Sequence, residues 1–234
     1  TQEFPMTQQA SRLRLYLLRH GETMTGGRQP FNGWTDVDLS DRGRAQLEAA
    51  GRALKQVPFD RVISSDLFRA RYGGDLLAAG AGVSHEIDRE WREMHFGDCE
   101  GLVFGEVQER YPELAAVVAN PGAEEISFPG GETDLGFVAR VGKALRKLAE
   151  ETPDGRVAVV SHSGTGRAVL ANLFGLPTRV MWSFHQDHAG LHVVDLFPGG
   201  TAVARVLNAY LGPEGYASPG PGLDFLTGAS DRVA

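Results

Sequence analysis

The stretch Leu13-Arg14-Leu15-Tyr16-Leu17-Leu18-Arg19-His20-Gly21-Glu22-Thr23 decides the fold. Residues 13–18 are a mostly apolar run of strand length. An Arg-His pair and a glycine stand at its end, opening a Gly-rich loop that runs from His20 to Leu39. The layout returns at Val157-Ala158-Val159-Val160-Ser161-His162-Ser163-Gly164, where an apolar strand over 156–160 ends in a histidine and a glycine. Helical residues follow from about 164 to 174. Open α/β sheets bind ligands outside the carboxyl ends of their strands. Two histidines at two such ends are therefore expected to face each other across one crevice. A lone strand-end histidine is usually structural; two, each followed by a stretch rich in backbone N–H donors, point to function.

Outward from these segments, strands and helices alternate. Ser40 is a candidate N-cap for a helix over 41–56, with Leu47, Ala50 and Leu54 on one face. Residues 61–64 read as a strand, 67–79 as a helix ending at the glycines near 80–82, and 84–88 as a third strand. The segment 94–133 is irregular, with short helices near 104–110 and 112–119. The loop Asn120–Gly131 that follows, with two prolines and three glycines, is read as a lid. Leu135, Val138, Val141, Leu145 and Leu148 keep a 3–4 spacing and predict a helix over 134–150, capped by Thr133. Runs 191–197 and 202–207, separated by Pro198-Gly199-Gly200, read as a hairpin. The pattern predicts an α/β fold, a three-layer α/β/α sandwich around a mostly parallel sheet. The domain is expected to span 13–211, between a flexible segment 1–12 and a flexible Gly/Pro-rich tail 212–234.

Composition narrows the function. A net charge of −7 argues against a nucleic-acid backbone as partner. An anionic substrate would need arginines gathered locally. The single cysteine, Cys99, cannot form an internal disulfide. Apolar runs are too short to cross a bilayer, and the first residues lack the apolar stretch of a signal peptide, so a cytoplasmic protein without a membrane anchor is expected. No metal-ligand spacing surrounds either histidine, and no metal or cofactor is expected.

Four motifs in order, Arg19-His-Gly-Glu-Thr23, Ser64-Ser-Asp-Leu-Phe-Arg-Ala70, Arg92-Glu-Met-His-Phe-Gly-Asp-Cys-Glu-Gly101 and Val160-Ser-His-Ser-Gly164, resemble the histidine phosphatase superfamily, also called phosphoglycerate-mutase-like. The likeness covers about residues 13 to 209 and is strongest to its α-ribazole phosphatase members. The resemblance implies a phosphoglycerate-mutase-like fold and a phosphomonoesterase acting through a phosphohistidine. His20 would be the nucleophile, its second ring nitrogen donating to a backbone carbonyl. Arg19 and Arg69 would clamp phosphate oxygens, and His162 would face the phosphoryl group from the other side. Glu93 would be the general acid and base, ahead of its neighbours Glu90, Asp98 and Glu100. Asn32 and His188 would add phosphate contacts. The substrate implied is a small phosphomonoester such as α-ribazole 5'-phosphate.

Two other readings stand beside this one, a phosphoglycerate mutase and a silent module that binds a phosphorylated ligand. Only 68 residues lie between Glu93 and His162, short for a mutase, and no catalytic residue is missing. The chain departs from the family pattern at Gly26, Asn32, Gly73 and Cys99. Glu22 and Glu132 are expected to be local capping or turn carboxylates, Trp34 and Trp182 packing residues, and Arg12, Arg14 and Arg71 solvated.

Overall fold

In the computed structural model every position of β1 (Leu13–Arg19) is buried except the half-buried Arg19. The model describes residues 12–25, 28, 30–119 and 125–213. The expectations for the first eleven residues, Gly26 and nearly all of the tail lie outside the described residues. Side chains along β1 alternate between two apolar clusters, as the strand's period of two requires. Leu13, Leu15 and Leu17 pack with Val157 and Val159 of β4 (Gly155–Ser161), with Val141 and Leu145 of α5 (Asp134–Glu151), and with Val169 of α6 (Ser163–Phe174). Tyr16 and Leu18 face the other way, onto Leu47 and Leu54 of α1 (Asp41–Leu54) and Ala70 and Leu77 of α2 (Phe68–Ala81). A strand buried on both faces needs a helical layer on each side, and that makes the α/β/α sandwich.

The sheet order is β3-β2-β4-β1-β5-β6, with β2 at Arg61–Ser64, β3 at His85–Ile87, β5 at Gly190–Leu196 and β6 at Ala202–Tyr210. The first four strands are parallel, and β5 and β6 are antiparallel to their neighbours. β1 and β4 are adjacent with Leu18 opposite Val160 and Arg19 opposite Ser161. Their carboxyl ends therefore lie side by side, and His20 and His162 leave the sheet at the same edge. Ser40 and Thr133 cap α1 and α5 by accepting from Gly43 and Gly136. Two short helices, α3 (Phe104–Arg110) and α4 (Pro112–Ala119), carry the chain across the irregular segment.

Two expectations are corrected. Leu135 does not join the buried face of α5: it is 53% exposed, and Phe137 is buried in its place. Each step of three residues falls about 60° short of a full turn. Two such steps back from Val141 carry position 135 about 120° off the buried stripe. Arg14 is not solvated but buried. It stands opposite Asp195 across the β1–β5 pair, and its Nε and Nη2 donate to the carboxylate at 2.6 and 2.9 Å. Arg205 and Arg12 approach the same carboxylate at 2.8 and 3.3 Å, so Arg12 is not simply solvated either. Arg71 is exposed, as expected.

Burial alone would push the Asp195 carboxyl up. The hydrogen bonds and charge of Arg14, with Arg205 and Arg12, outweigh it and hold the group below the usual range. Removing one member of a buried ion pair leaves the other uncompensated. Asp195→Leu is therefore expected to cost about 3–5 kcal/mol in urea unfolding. A loss below about 1 kcal/mol would place these charges in the weak, solvated class.

Candidate active site

His20 is buried where β1 ends. Its main-chain N–H donates to Ser161 O at 3.0 Å, and its carbonyl accepts from Ala189 N at 3.1 Å, fixing it between the end of β4 and the start of β5. Gly21 lets the chain pass close against α1 there, since a Cβ on it would fall 2.1 Å from Gly43 O. The ring Nδ1 lies 2.7 Å from Gly21 O. A carbonyl only accepts, so Nδ1 carries the proton and Nε2 keeps its lone pair. Burial, then the charges of Arg69, His162 and Arg19, hold the ring's pKa well below the ordinary histidine value.

Around this neutral imidazole, donors gather. The His162 ring is 5.2 Å from that of His20, and His188 is 5.6 Å away. His162 Nε2 sits 2.8 Å from Ser65 Oγ, while its Nδ1 is buried without a partner among the described residues. Arg69 is fully buried and donates to the carbonyls of Thr35, Asn32 and Gly33 at 2.8, 3.1 and 2.6 Å. Arg19 donates to Gln186 O at 2.5 Å and to His188 Nε2 at 2.9 Å. Since arginine only donates, His188 accepts at Nε2 and carries its proton on Nδ1. Burial and then Arg19 bring its pKa down to about 3. The Nε atoms of both arginines are buried and have no partner among the described residues. Buried donors are rarely left unpaired without reason. Two arginine Nε groups and a histidine ring nitrogen, beside a neutral imidazole with a free lone pair, can receive a tetrahedral oxyanion.

Glu93 is 9% exposed. Its carboxylate accepts from Met94 N and, at the N-terminus of α6, from Gly164 N, both at 2.9 Å. A Cβ on Gly164 would lie 2.1 Å from this carboxylate, so the glycine makes the approach possible. The neighbouring acids are placed otherwise. Glu100 accepts from the N–H groups of Gly33, Trp34, Thr35 and Phe96, pinning the loop whose carbonyls receive Arg69. Asp98 is exposed and Glu90 half-buried. A cavity of about 480 Å³ brings Arg19, His20, Asn32, Glu93 and His188 onto one lining, with none of those three acids among them. Arg69 and His162 do not line it; both are buried beside it.

Other expectations are located as follows. Glu22 accepts from Ser40 Oγ at 2.8 Å and lines the cavity, and Glu132 accepts from His95 N, 37 residues away, and pairs with Arg140; neither is a purely local carboxylate. Trp34 is no core residue: its Nε1 donates to Glu93 O at 2.9 Å, and Arg92 lies over its ring at 4.7 Å. Trp182 packs half-buried beneath Arg167. Gly73 is explained by packing, because a Cβ would stand 3.0 Å from Val160 and 3.2 Å from Leu47. Cys99 is fully buried in the apolar cluster. In the loop read as a lid, residues 120–124 lie outside the described ones. The rest is seated, with Ile126 and Phe128 buried and Pro129 O accepting from Asp98 N.

Sequence reasoning missed Ser65 and Arg140. Ser65 lies inside the second motif, directly after strand β2, where its hydroxyl reaches His162. Arg140 resembles any helix-surface charge, yet it donates to the carbonyls of Glu90, Arg92 and Glu93 and so holds the Glu93 backbone.

His20 and His162 thus stand at adjacent parallel strand ends, with their rings 5.2 Å apart and Arg19 and Arg69 close by. Residues 15–209 match the model of the histidine phosphatase superfamily (branch 1), and the chain belongs to that family of enzymes. It is 30% identical to the adenosylcobalamin/alpha-ribazole phosphatase of Escherichia coli strain K12, over 84% of this chain and 96% of that protein. The structure of the alpha-ribazole phosphatase from Shigella flexneri superposes with a TM-score of 0.76 at 29% identity, covering 84% of this chain and 96% of that one. A mycobacterial glucosyl-3-phosphoglycerate phosphatase superposes with a TM-score of 0.75 at 28% identity, covering 86% and 99%. Among the described residues, no helix is long and apolar enough to cross a membrane.

Proposed function

We propose that the protein hydrolyses a small phosphomonoester through a phosphohistidine on His20, with α-ribazole 5'-phosphate as the substrate. The observation that carries the mechanism is the bond from His20 Nδ1 to Gly21 O, which leaves Nε2 free to attack. In the first step the Nε2 lone pair forms the N–P bond. The P–O bond to the alcohol breaks, and a protonated Glu93 gives its proton to the leaving oxygen. In the second step Glu93, now a carboxylate, takes a proton from water as that water attacks phosphorus. The N–P bond breaks and returns its electrons to Nε2. Arg19, Arg69, Asn32 and His188 hold the non-bridging oxygens, and His162 donates Nδ1–H to the charge in transfer. The substrate is supported by the names of the relatives and by the shared order of motifs.

The test is release of p-nitrophenol from p-nitrophenyl phosphate in the presence of EDTA. Turnover is expected to be the same with and without the chelator. Complete loss in EDTA, restored by Mg²⁺ or Zn²⁺, would overturn the mechanism.

Ser65 acts through His162 and is a positioning residue in this scheme. Its hydroxyl, donating to Nε2, sets the tautomer that points a proton from Nδ1. Ser65→Ala is expected to lower kcat by about tenfold or more with little change in KM, and Ser65→Thr to restore most of it. An unchanged kcat in Ser65→Ala would show that the His162 tautomer is set elsewhere.

A further inference from the structure

We infer, resting on the phosphatase reading above, that the leaving-group half of the cavity takes an uncharged alcohol with an apolar face and turns away alcohols that carry a carboxylate. Charge comes first. Beyond Glu93, the described lining carries two more carboxylates, Glu22 and Asp187. Its arginines are Arg19 and Arg28. Arg19 stands beside His20 and is committed to Gln186, His188 and the phosphate. Arg28 is paired with Glu106 at 2.8 Å. Arg42 approaches Glu22, at 4.0 Å, from outside the lining. A carboxylate on the leaving group would thus meet two like charges and no arginine of the lining that is not already engaged. Specificity by repulsion needs no more than this.

Shape supplies the other half. Phe31 and Phe96 line the same cavity, half-buried, with ring centroids 5.1 Å apart. Both rings rest on Phe128, at 5.8 and 4.9 Å, and Phe128 is itself buried. The three-ring cluster is backed by the core and presents a fixed apolar wall. Offset and edge-on contacts with a planar or apolar group are what such a wall favours. The volume of about 480 Å³ lies in the range of pockets that take whole small molecules, so the wall has room for an alcohol larger than glycerol.

Glycerol 3-phosphate and 3-phosphoglycerate isolate the charge effect, because their alcohols differ only at one end, a hydroxymethyl group in the first and a carboxylate in the second. The expected kcat/KM is at least about tenfold higher for glycerol 3-phosphate. Glu22→Gln and Asp187→Asn, each nearly isosteric, should narrow that ratio. 1-Naphthyl phosphate reports on the wall: Phe31→Ala or Phe96→Ala should lower its kcat/KM relative to glycerol 3-phosphate by about tenfold. Equal or better turnover of 3-phosphoglycerate by the unaltered protein would overturn the inference while leaving the phosphatase reading intact. No turnover of any ester would overturn the phosphatase reading and this inference with it.

Discussion

His20→Ala is expected to remove ester hydrolysis, lowering kcat by at least about 10⁴-fold, while the protein stays folded. The size follows from the role. The neutral ring held by Gly21 O supplies the lone pair that attacks the ester's phosphorus in the first step of the proposed mechanism. The residue contributes little to stability, because its ring is buried and costs desolvation rather than filling the apolar clusters. The melting temperature of the variant should therefore lie within about 5 °C of the parent's. Retained hydrolysis of p-nitrophenyl phosphate by a pure, folded His20→Ala protein would remove the nucleophile from the account.

The second large effect is acid lability. His20 and His162 are held well below the ordinary histidine value, by burial first and then by arginine charges. His188 is brought down to about 3 and His192 to about 4, again by burial first. In the unfolded chain the same groups titrate near 6.5. Between that value and about pH 4 the unfolded chain therefore binds more protons than the folded one. The stability contribution is fully present above about 6.5 and is lost as pH falls through the window. Each histidine costs about 1 kcal/mol for each pH unit below it. The losses add as the pH falls, against a total stability of about 5–15 kcal/mol.

Destabilisation below about pH 6 is expected from this linkage. Inorganic phosphate should oppose it, since an anion beside His20 and His162 favours their protonated forms. Melting curves from pH 8 to 4.5, with and without phosphate, check both points. The melting temperature should fall steeply below about pH 6, with the phosphate effect larger at pH 6 than at pH 8. A flat profile would contradict the buried neutral state of these rings.

How much of this was open to the sequence depends on distance along the chain. β1 and β4 were legible because apolar runs with a histidine at each end are local patterns. Their adjacency, which brings His20 to His162, came from the rule that parallel strands bind ligands at their carboxyl ends. The choice of Glu93 over Glu100 rested on motif position; in the fold Glu93 lines the cavity, while Glu100 is occupied by backbone N–H groups of a loop 65 to 67 residues away. The Arg14–Asp195 pair spans 181 positions, and nothing in a local pattern marks it. Arg140 and Ser65 were hidden for a related reason, since each acts on the site through contacts that only the folded chain creates. Leu135 was misplaced because a 3–4 spacing tolerates two consecutive steps of three, which rotate off the face.

The central claim is a covalent phosphate on His20, and a rapid acid-avoiding quench tests it directly. The protein is mixed with p-nitrophenyl [³²P]phosphate, quenched in alkali within milliseconds, digested, and the labelled peptide sequenced by mass spectrometry. The account predicts an acid-labile, base-stable label on Nε2 of His20, present in His162→Ala and absent in His20→Ala. A label on any other residue, or rapid turnover with no labelled residue, would contradict it.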